Sequence, residues 1–210
     1  MAKDKTAEKQ AQAILTSVLP EEKKPPKTPF LENRPLAILI TILAILAGLT
    51  FGARRSVAAQ GRQIEQKFST GVQYEGYSIQ GDLQDRMEYA SQLAKIGQRY
   101  DLNKQAQAVS DASAALYAAE GAHARYVCNR GLSEAVEALN GALQSAGLSA
   151  QDEQYRSETY RNFVSCNDTI SHEAAQYNKL VYDYNDKVLS AFPTGTIARL
   201  TGVKSLEAFE

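Results

Sequence analysis

The segment FVSCNDTISHEAAQYNKLVYDYNDKV, residues 163–188, decides the fold. Two interleaved sets of side chains repeat in it every seven residues, namely Phe163, Ile170, Tyr177 and Tyr184, and Asn167, Ala174, Val181 and Val188. A heptad repeat places these side chains along one stripe of a helix, and that stripe needs a partner helix to cover it. We therefore expect a helix over residues 151–191 that belongs to a bundle. It should end near Phe192 and Pro193, because proline interrupts helical hydrogen bonds.

Two more helical stretches lie upstream, over residues 54–100 and 104–145, where apolar residues recur at spacings of three and four. Residues 101–103 and Gly147 suit turns between the three stretches, and residues 129–131 suit a break within the second. Stretches of similar length with short connections predict an antiparallel bundle. The expected fold class is all-α, with one N-terminal transmembrane helix that continues into an elongated antiparallel bundle of three to four helices.

The run LAILITILAILAGLTFGA, residues 36–53, carries no charge and is followed directly by two arginines. As a helix it spans about 27 Å, the thickness of a bilayer core. A leader of 35 residues is long for a signal peptide, and a buried soluble helix would show a polar stripe. We expect a retained anchor at 36–53, a mobile cytoplasmic tail at 1–35 and the bundle at 54–191. The apolar segment 192–210 is expected to pack at the membrane-distal end of the bundle, beside Tyr100.

The composition excludes several classes of protein. The 210 residues include 23 basic and 24 acidic side chains, so the net charge of −1 gives no basic surface for nucleic acid. A content of 44% hydrophobic and 22% charged residues excludes a disordered chain. Two cysteines exclude a disulfide-rich scaffold and a multi-cysteine zinc module.

The two cysteines, Cys128 and Cys166, are equidistant in sequence from the expected turn at Gly147. In an antiparallel helix pair such residues stand at the same height, so their sulfurs can meet if both face the shared interface. We predict a disulfide between them, which would place the bundle outside the cytoplasm. The alternative is a pair of unlinked, buried thiols.

Motifs of hydrolytic, phosphate-binding and zinc-protease chemistry do not occur in the sequence. Glu120 and His123 have the Glu-x-x-His spacing of a di-iron bundle, but no second copy of that spacing occurs. Asp82, Asp85 and Glu88 recur on one helix face, which is typical of a solvated surface. We expect no catalytic residue, no metal ligand and no cofactor, and we do not expect an enzyme.

Two asparagines, Asn178 and Asn185, each follow a tyrosine of the heptad stripe. Their amides can bridge to a neighbouring helix or form part of a partner-binding face. We favour the structural interpretation.

The C-terminal run YNKLVYDYNDKVLSAFPTGTIARLTGVKSLEAFE, residues 177–210, resembles the end of LemA family proteins. The matching residues are Tyr177, Asn178, Val181, Tyr184, Asn185, Phe192, Pro193, Ala198, Gly202, Phe209 and Glu210. A second motif of that family is similar to Ile79, Leu83, Arg86, Glu88, Leu93, Ile96 and Tyr100, although Ser91 and Gln92 replace its usual Pro-Asn. The resemblance implies a bacterial, single-pass envelope protein with an elongated bundle, and it implies no particular biochemical activity.

We expect a non-catalytic scaffold or adaptor of the bacterial envelope that lies in the lipid bilayer and binds an envelope protein or a second copy of itself. The candidate partner-binding or family-motif residues are Arg86, Tyr100, Tyr177, Asn178, Tyr184, Asn185, Phe192, Pro193 and Phe209. One alternative is a ligand- or metal-binding accessory subunit of an envelope enzyme, acting through Glu120 and His123. Another is binding of acidic lipid by the basic residues at 23–27.

The expected location is the inner, or cytoplasmic, membrane of a bacterium, with the bundle outside the cytoplasm. Four basic residues flank the apolar run on each side, so their number does not decide the orientation. Arg54 and Arg55, directly after the run, favour a cytoplasmic bundle, whereas the family resemblance and a disulfide favour an extracytoplasmic one.

Overall fold

The computed structural model describes residues 34–72 and 77–210, so the predicted tail at 1–35 lies almost wholly outside the described residues. In the described ranges the backbone is mostly helical and contains no strand. The elements are α1 (Arg34–Thr70), α2 (Ile79–Arg99), α3 (Asn103–Ala118), α4 (Ala122–Ser145), α5 (Ala150–Asp183), a π-helical turn (Tyr184–Val188) and α6 (Thr194–Leu200). The all-α fold class is confirmed.

The chain divides into two compact units, Met1–Gly48 and Leu49–Glu210. In the first unit the described residues form the N-terminal part of α1, and apolar side chains such as Ile38 and Leu43 are exposed there. Among the described residues, α1 is the one helix whose length and hydropathy suffice to cross a membrane. The described chain therefore contains one candidate membrane-spanning helix near the N-terminus.

In the second unit, α5 runs antiparallel to the end of α1 and then to α2. Phe68 of α1 packs edge-on against Tyr177 of α5, with ring centroids 5.5 Å apart. At the other end of α5, Asp152 forms an ion pair of 2.6 Å with Arg99, the last residue of α2. These two contacts show that α1 and α2 follow one another along the length of α5.

The second predicted stretch is two antiparallel helices, and its break lies at residues 119–121 instead of 129–131. Gly121 has a φ of +86°, a left-handed conformation that residues with a Cβ rarely adopt. Gly131 lies inside α4, where no such conformation is needed. Because α3 packs on α2 and α4 packs on α3, the bundle has four passes within the described residues.

Six of the eight residues of the heptad stripe are buried, whereas Asn167 is exposed and Val188 is half-buried. The buried members are Phe163, Ile170, Ala174, Tyr177, Val181 and Tyr184. The main partner of α5 is α2, whose Leu83, Ala90 and Leu93 belong to the same hydrophobic core. Each large apolar side chain buried in this way contributes about 1.5 to 3 kcal/mol to the free energy of unfolding.

The C-terminal segment turns back on the bundle after α5. Ala198 of α6 belongs to a buried cluster with Val57, Tyr184 and Leu189, and the ring centroid of Phe209 lies 5.7 Å from that of Phe68. The segment therefore does not lie beside Tyr100, where the sequence analysis placed it. Four passes return the chain to the level of α1, whereas the three expected passes would have ended at the opposite end.

Candidate functional site

An open cleft separates α4 from α5, which contact each other only at a few points. The cleft has a volume of about 410 Å³. Its polar walls include Asn129, Ser133 and Glu137 from α4 and Asn167 and Ser171 from α5. Its apolar lining comes from Ile170, Ala174 and, from the C-terminal segment, Phe209. Such a mixture of apolar surface and polar groups is typical of a binding site.

Arg86 of α2 joins the two walls of this cleft. Its side chain is 1% exposed, and its Nη1 and Nη2 donate hydrogen bonds to Asn167 Oδ1 at 2.6 Å and to Ser133 Oγ at 2.5 Å. The guanidinium also lies over the ring of Phe163, 4.1 Å from its centroid. Burial lowers the pKa of Arg86 to about 10. Arg86 therefore stays charged at neutral pH and holds α4 and α5 at a fixed separation.

Asn129 is the buried polar residue on the α4 wall, with 5% of its surface exposed. Its Oδ1 has no hydrogen-bond partner among the described residues. A buried acceptor without a partner carries a desolvation cost of about 1 to 3 kcal/mol, which a donor entering the cleft would offset. Asn129 thus adds a buried acceptor without a partner to the wall of a cleft that also has an apolar lining.

A second feature is the attachment of the C-terminal segment to α5 and the π-helical turn through one asparagine in each. Asn178 Nδ2 donates to Phe209 O at 3.1 Å, and Phe209 N donates to Asn178 Oδ1 at 2.7 Å. Asn185 makes the same pair of hydrogen bonds with Leu206, each 3.0 Å long. Within the described residues, both asparagines therefore bind the main chain of the segment and neither bridges to a neighbouring helix.

Most of the other sequence-predicted site residues are engaged within the molecule. Tyr177 and Tyr184 are core residues, and Tyr184 Oη donates to Val57 O at 3.2 Å. Tyr100 Oη donates to Asp152 Oδ2 at 2.7 Å and accepts from Ser149 N at 3.0 Å. These hydroxyls fix the two ends of α5. Whether the residues also contact a partner stays a prediction.

Phe192 and Pro193 differ from this group because both are exposed and lie just before α6. Phe192 in particular has most of its ring in solvent. It is the member of the predicted set that leaves a large apolar side chain available for an external contact.

The predicted disulfide is not formed, and Cys128 and Cys166 are both free. Cys128 packs against the hydrophobic core, whereas Cys166 lies beside Asp82 and Asp85 of α2. The next residue on each helix, Asn129 or Asn167, faces the shared cleft instead. One residue turns a helix by about 100°, which is enough to direct the two sulfurs away from the interface.

Asp82, Asp85 and Cys166 form a cluster that could hold a metal ion, with one ligand atom from each lying within 4.8 Å of the others. Asp82 is 9% exposed, and its Oδ2 has no hydrogen-bond partner in the described part of the chain. Burial, with the charges of Asp85 and Glu173, raises the pKa of Asp82 to about 6. Burial also raises the pKa of the Cys166 thiol to about 11, so the thiol is protonated at neutral pH.

His123 does not join a metal cluster with Glu120 in the described residues. Its Nδ1 contacts the main-chain oxygen of Glu210, and Tyr182 Oη donates to the Glu210 side chain. The end of the C-terminal segment is thus held by α4 as well as by α5.

Comparison of the chain with models of protein families, with curated proteins and with solved structures finds no match. The resemblance to the LemA family therefore rests on the motifs quoted above and stays a prediction.

Proposed function

We propose that the chain is a non-catalytic scaffold or adaptor of LemA-like type, anchored by α1 in the inner membrane of a bacterium, with its bundle outside the cytoplasm. It would bind an envelope protein, or a second copy of itself, in the cleft between α4 and α5. The observation that carries the proposal is the unpartnered Oδ1 of Asn129 on the wall of this cleft. A donor group on the partner would satisfy that oxygen while apolar side chains cover Ile170 and Ala174.

The cleft is favoured over the C-terminal segment as the binding surface. The segment is already occupied within the molecule, because Phe209 is buried and Asn178 and Asn185 bind the backbone of the segment. Removing it would uncover Phe68 and Tyr126, whose rings pack on Phe209. Its deletion would therefore damage the fold and would not report on a partner.

Site-specific photocrosslinking in producing cells tests the proposal. A benzophenone side chain at Ser171, an exposed position in the cleft, should give a discrete adduct heavier than the chain alone. The matched position is Asn162, which is exposed on the same helix but does not line the cleft. We expect no adduct there. Equal adducts at both positions, or none at Ser171, would contradict the proposal.

A second variant examines the role of Asn129 in this contact. Asn129→Leu removes the unused acceptor and should lower the yield of the Ser171 adduct, whereas Asn162→Leu should not change it. The same experiment on the purified chain identifies the partner class. An adduct of twice the chain mass would assign the cleft to self-association, and its absence would assign the cellular adduct to another protein.

A further inference from the structure

The end of the second unit that contains α6 exposes two large apolar side chains. Phe192 is 87% exposed and Leu200 is 83% exposed, one just before α6 and one at its last residue. Between them, Ala198 is buried in the cluster that contains Val57 and Leu189. Helix α6 is therefore fixed to α1 on its inner side and leaves two apolar side chains uncovered.

The helix register places these side chains beside the end of the apolar run. Tyr177 contacts Phe68, and Tyr184 contacts Val57, so α5 and the π-helical turn descend along α1 towards lower residue numbers. After Tyr184 the π-helical turn and a short irregular stretch continue in this direction as far as α6, towards the part of α1 formed by residues 49–53. Those residues are the last turn of the uncharged run.

The chain reverses direction at α6, so this helix forms one tip of the second unit. Val203 N donates to Ala198 O at 3.0 Å, and the segment then returns along α5 until Leu206 meets Asn185. Gly195 allows the tight turn, because a Cβ at this position would lie only 2.3 Å from the carbonyl oxygen of Val188.

Basic side chains lie at the same tip and along the groove that begins there. Arg54, Arg62 and Lys204 line a groove of about 240 Å³ between α1 and the C-terminal segment, with Glu65 among its other lining residues. Arg199 is exposed on α6 itself. Guanidinium and ammonium groups at this level match the phosphates of a lipid surface.

We propose that α6 rests on the bilayer surface, with Phe192 and Leu200 inserted among the lipids and with Arg54 and Arg199 at the level of the phosphates. The occupant of this apolar patch is lipid, because the patch belongs to a helix that packs through Ala198 on Val57, about one turn after the uncharged run that a membrane covers when α1 spans it. The inference rests on the proposed membrane anchoring by α1. Amphipathic elements with apolar side chains below a ring of cations bind interfaces in this way.

The chain contains no tryptophan, so a single introduced tryptophan reports on its own surroundings. The full chain carrying F192W is reconstituted into vesicles of phosphatidylcholine and phosphatidylglycerol, with and without bromine on the acyl chains, which quenches tryptophan on contact. F51W, in the apolar run, reports on the anchor. Y155W, roughly 40 Å away along α5, reports on a surface remote from α6.

Brominated lipid should lower the emission of F192W and F51W and leave that of Y155W unchanged. Quenching of F51W without quenching of F192W would overturn this inference and leave the anchor intact. An unquenched F51W would overturn both. L200W repeats the measurement at the second apolar position, so failure of one variant to fold does not decide the result. Equal quenching of Y155W and F192W would contradict the inference, because contact with lipid would then not be specific to α6.

Discussion

Asn178 on α5 pairs with both main-chain polar groups of Phe209, donating to its carbonyl oxygen at 3.1 Å and accepting from its N–H at 2.7 Å. Asn185 repeats the arrangement with Leu206. Seven residues of α-helix rise about 10.5 Å, and three residues of extended chain span about 10 Å. The spacing of the two asparagines thus matches the spacing of the two peptide groups, and each amide acts on the segment as a neighbouring β-strand would.

We expect Asn178→Ala to free the end of the C-terminal segment. The change removes two hydrogen bonds and leaves the polar groups of Phe209 without their partner, at a cost on the order of 1 to 3 kcal/mol. Hydrogen exchange at the Phe209 amide should accelerate by about tenfold for each 1.4 kcal/mol lost. Asn162→Ala, on an exposed position of the same helix, should leave that amide unchanged. Equal exchange rates in the two variants would contradict the arrangement.

Arg86→Lys should destabilise the bundle more than Arg86→Met. Lysine keeps a charge in a site where Arg86 is 1% exposed, but it cannot donate in a fork to both Asn167 and Ser133. We expect Arg86→Lys to lower the free energy of unfolding by about 2 to 4 kcal/mol and Arg86→Met by less. Thermal unfolding followed by circular dichroism ranks the two variants. A lower midpoint for Arg86→Met would show that hydrogen bonding matters less there than volume and contact with Phe163.

Asp82→Asn should stabilise the protein at neutral pH. The pKa of Asp82 is raised from 3.8 to about 6, so the folded state binds its proton more tightly than the unfolded state does. Stability therefore falls as the pH rises from about 4 to 6, and the cost is fully present above 6. We expect Asp82→Asn to unfold like wild type near pH 4 and to be more stable at pH 7 by on the order of 1 to 3 kcal/mol. Asp168→Asn, an exposed residue of α5, controls for the loss of one negative charge.

The sequence predicted that another helix covers the heptad stripe, because side chains that repeat every seven residues lie on one side of a helix. It misplaced the break in the second stretch because residues 129–131 have turn-like composition and 119–121 follow an alanine-rich run. Composition does not reveal which glycine takes a left-handed conformation. Gly121 does so because α4 must reverse to pack on α3, and that requirement comes from tertiary packing.

The cleft was harder to predict from the sequence than the fold. Ser133 and Asn167 lie 47 and 81 residues after Arg86 in the chain. Their contacts with Arg86 depend on how three helices are rotated about their own axes. The pairing of Asn178 and Asn185 with the C-terminal segment had a sequence signal in their seven-residue spacing. That spacing also fits a neighbouring helix, so it could not identify an extended segment as the partner.

The purified chain should contain two free thiols. Cys128 faces the core, and Cys166 faces Asp82 and Asp85, so a bridge would require both α4 and α5 to rotate. Alkylation in denaturant without reductant should therefore add two labels, as measured by mass spectrometry, and a bridge would give none.

In intact cells, a membrane-impermeant maleimide applied without reductant should label thiols introduced at the exposed positions Asn162 and Ser165 if the bundle is extracytoplasmic. Labelling only after permeabilisation would place the bundle in the cytoplasm, as Arg54 and Arg55 favour, and would overturn the proposed orientation.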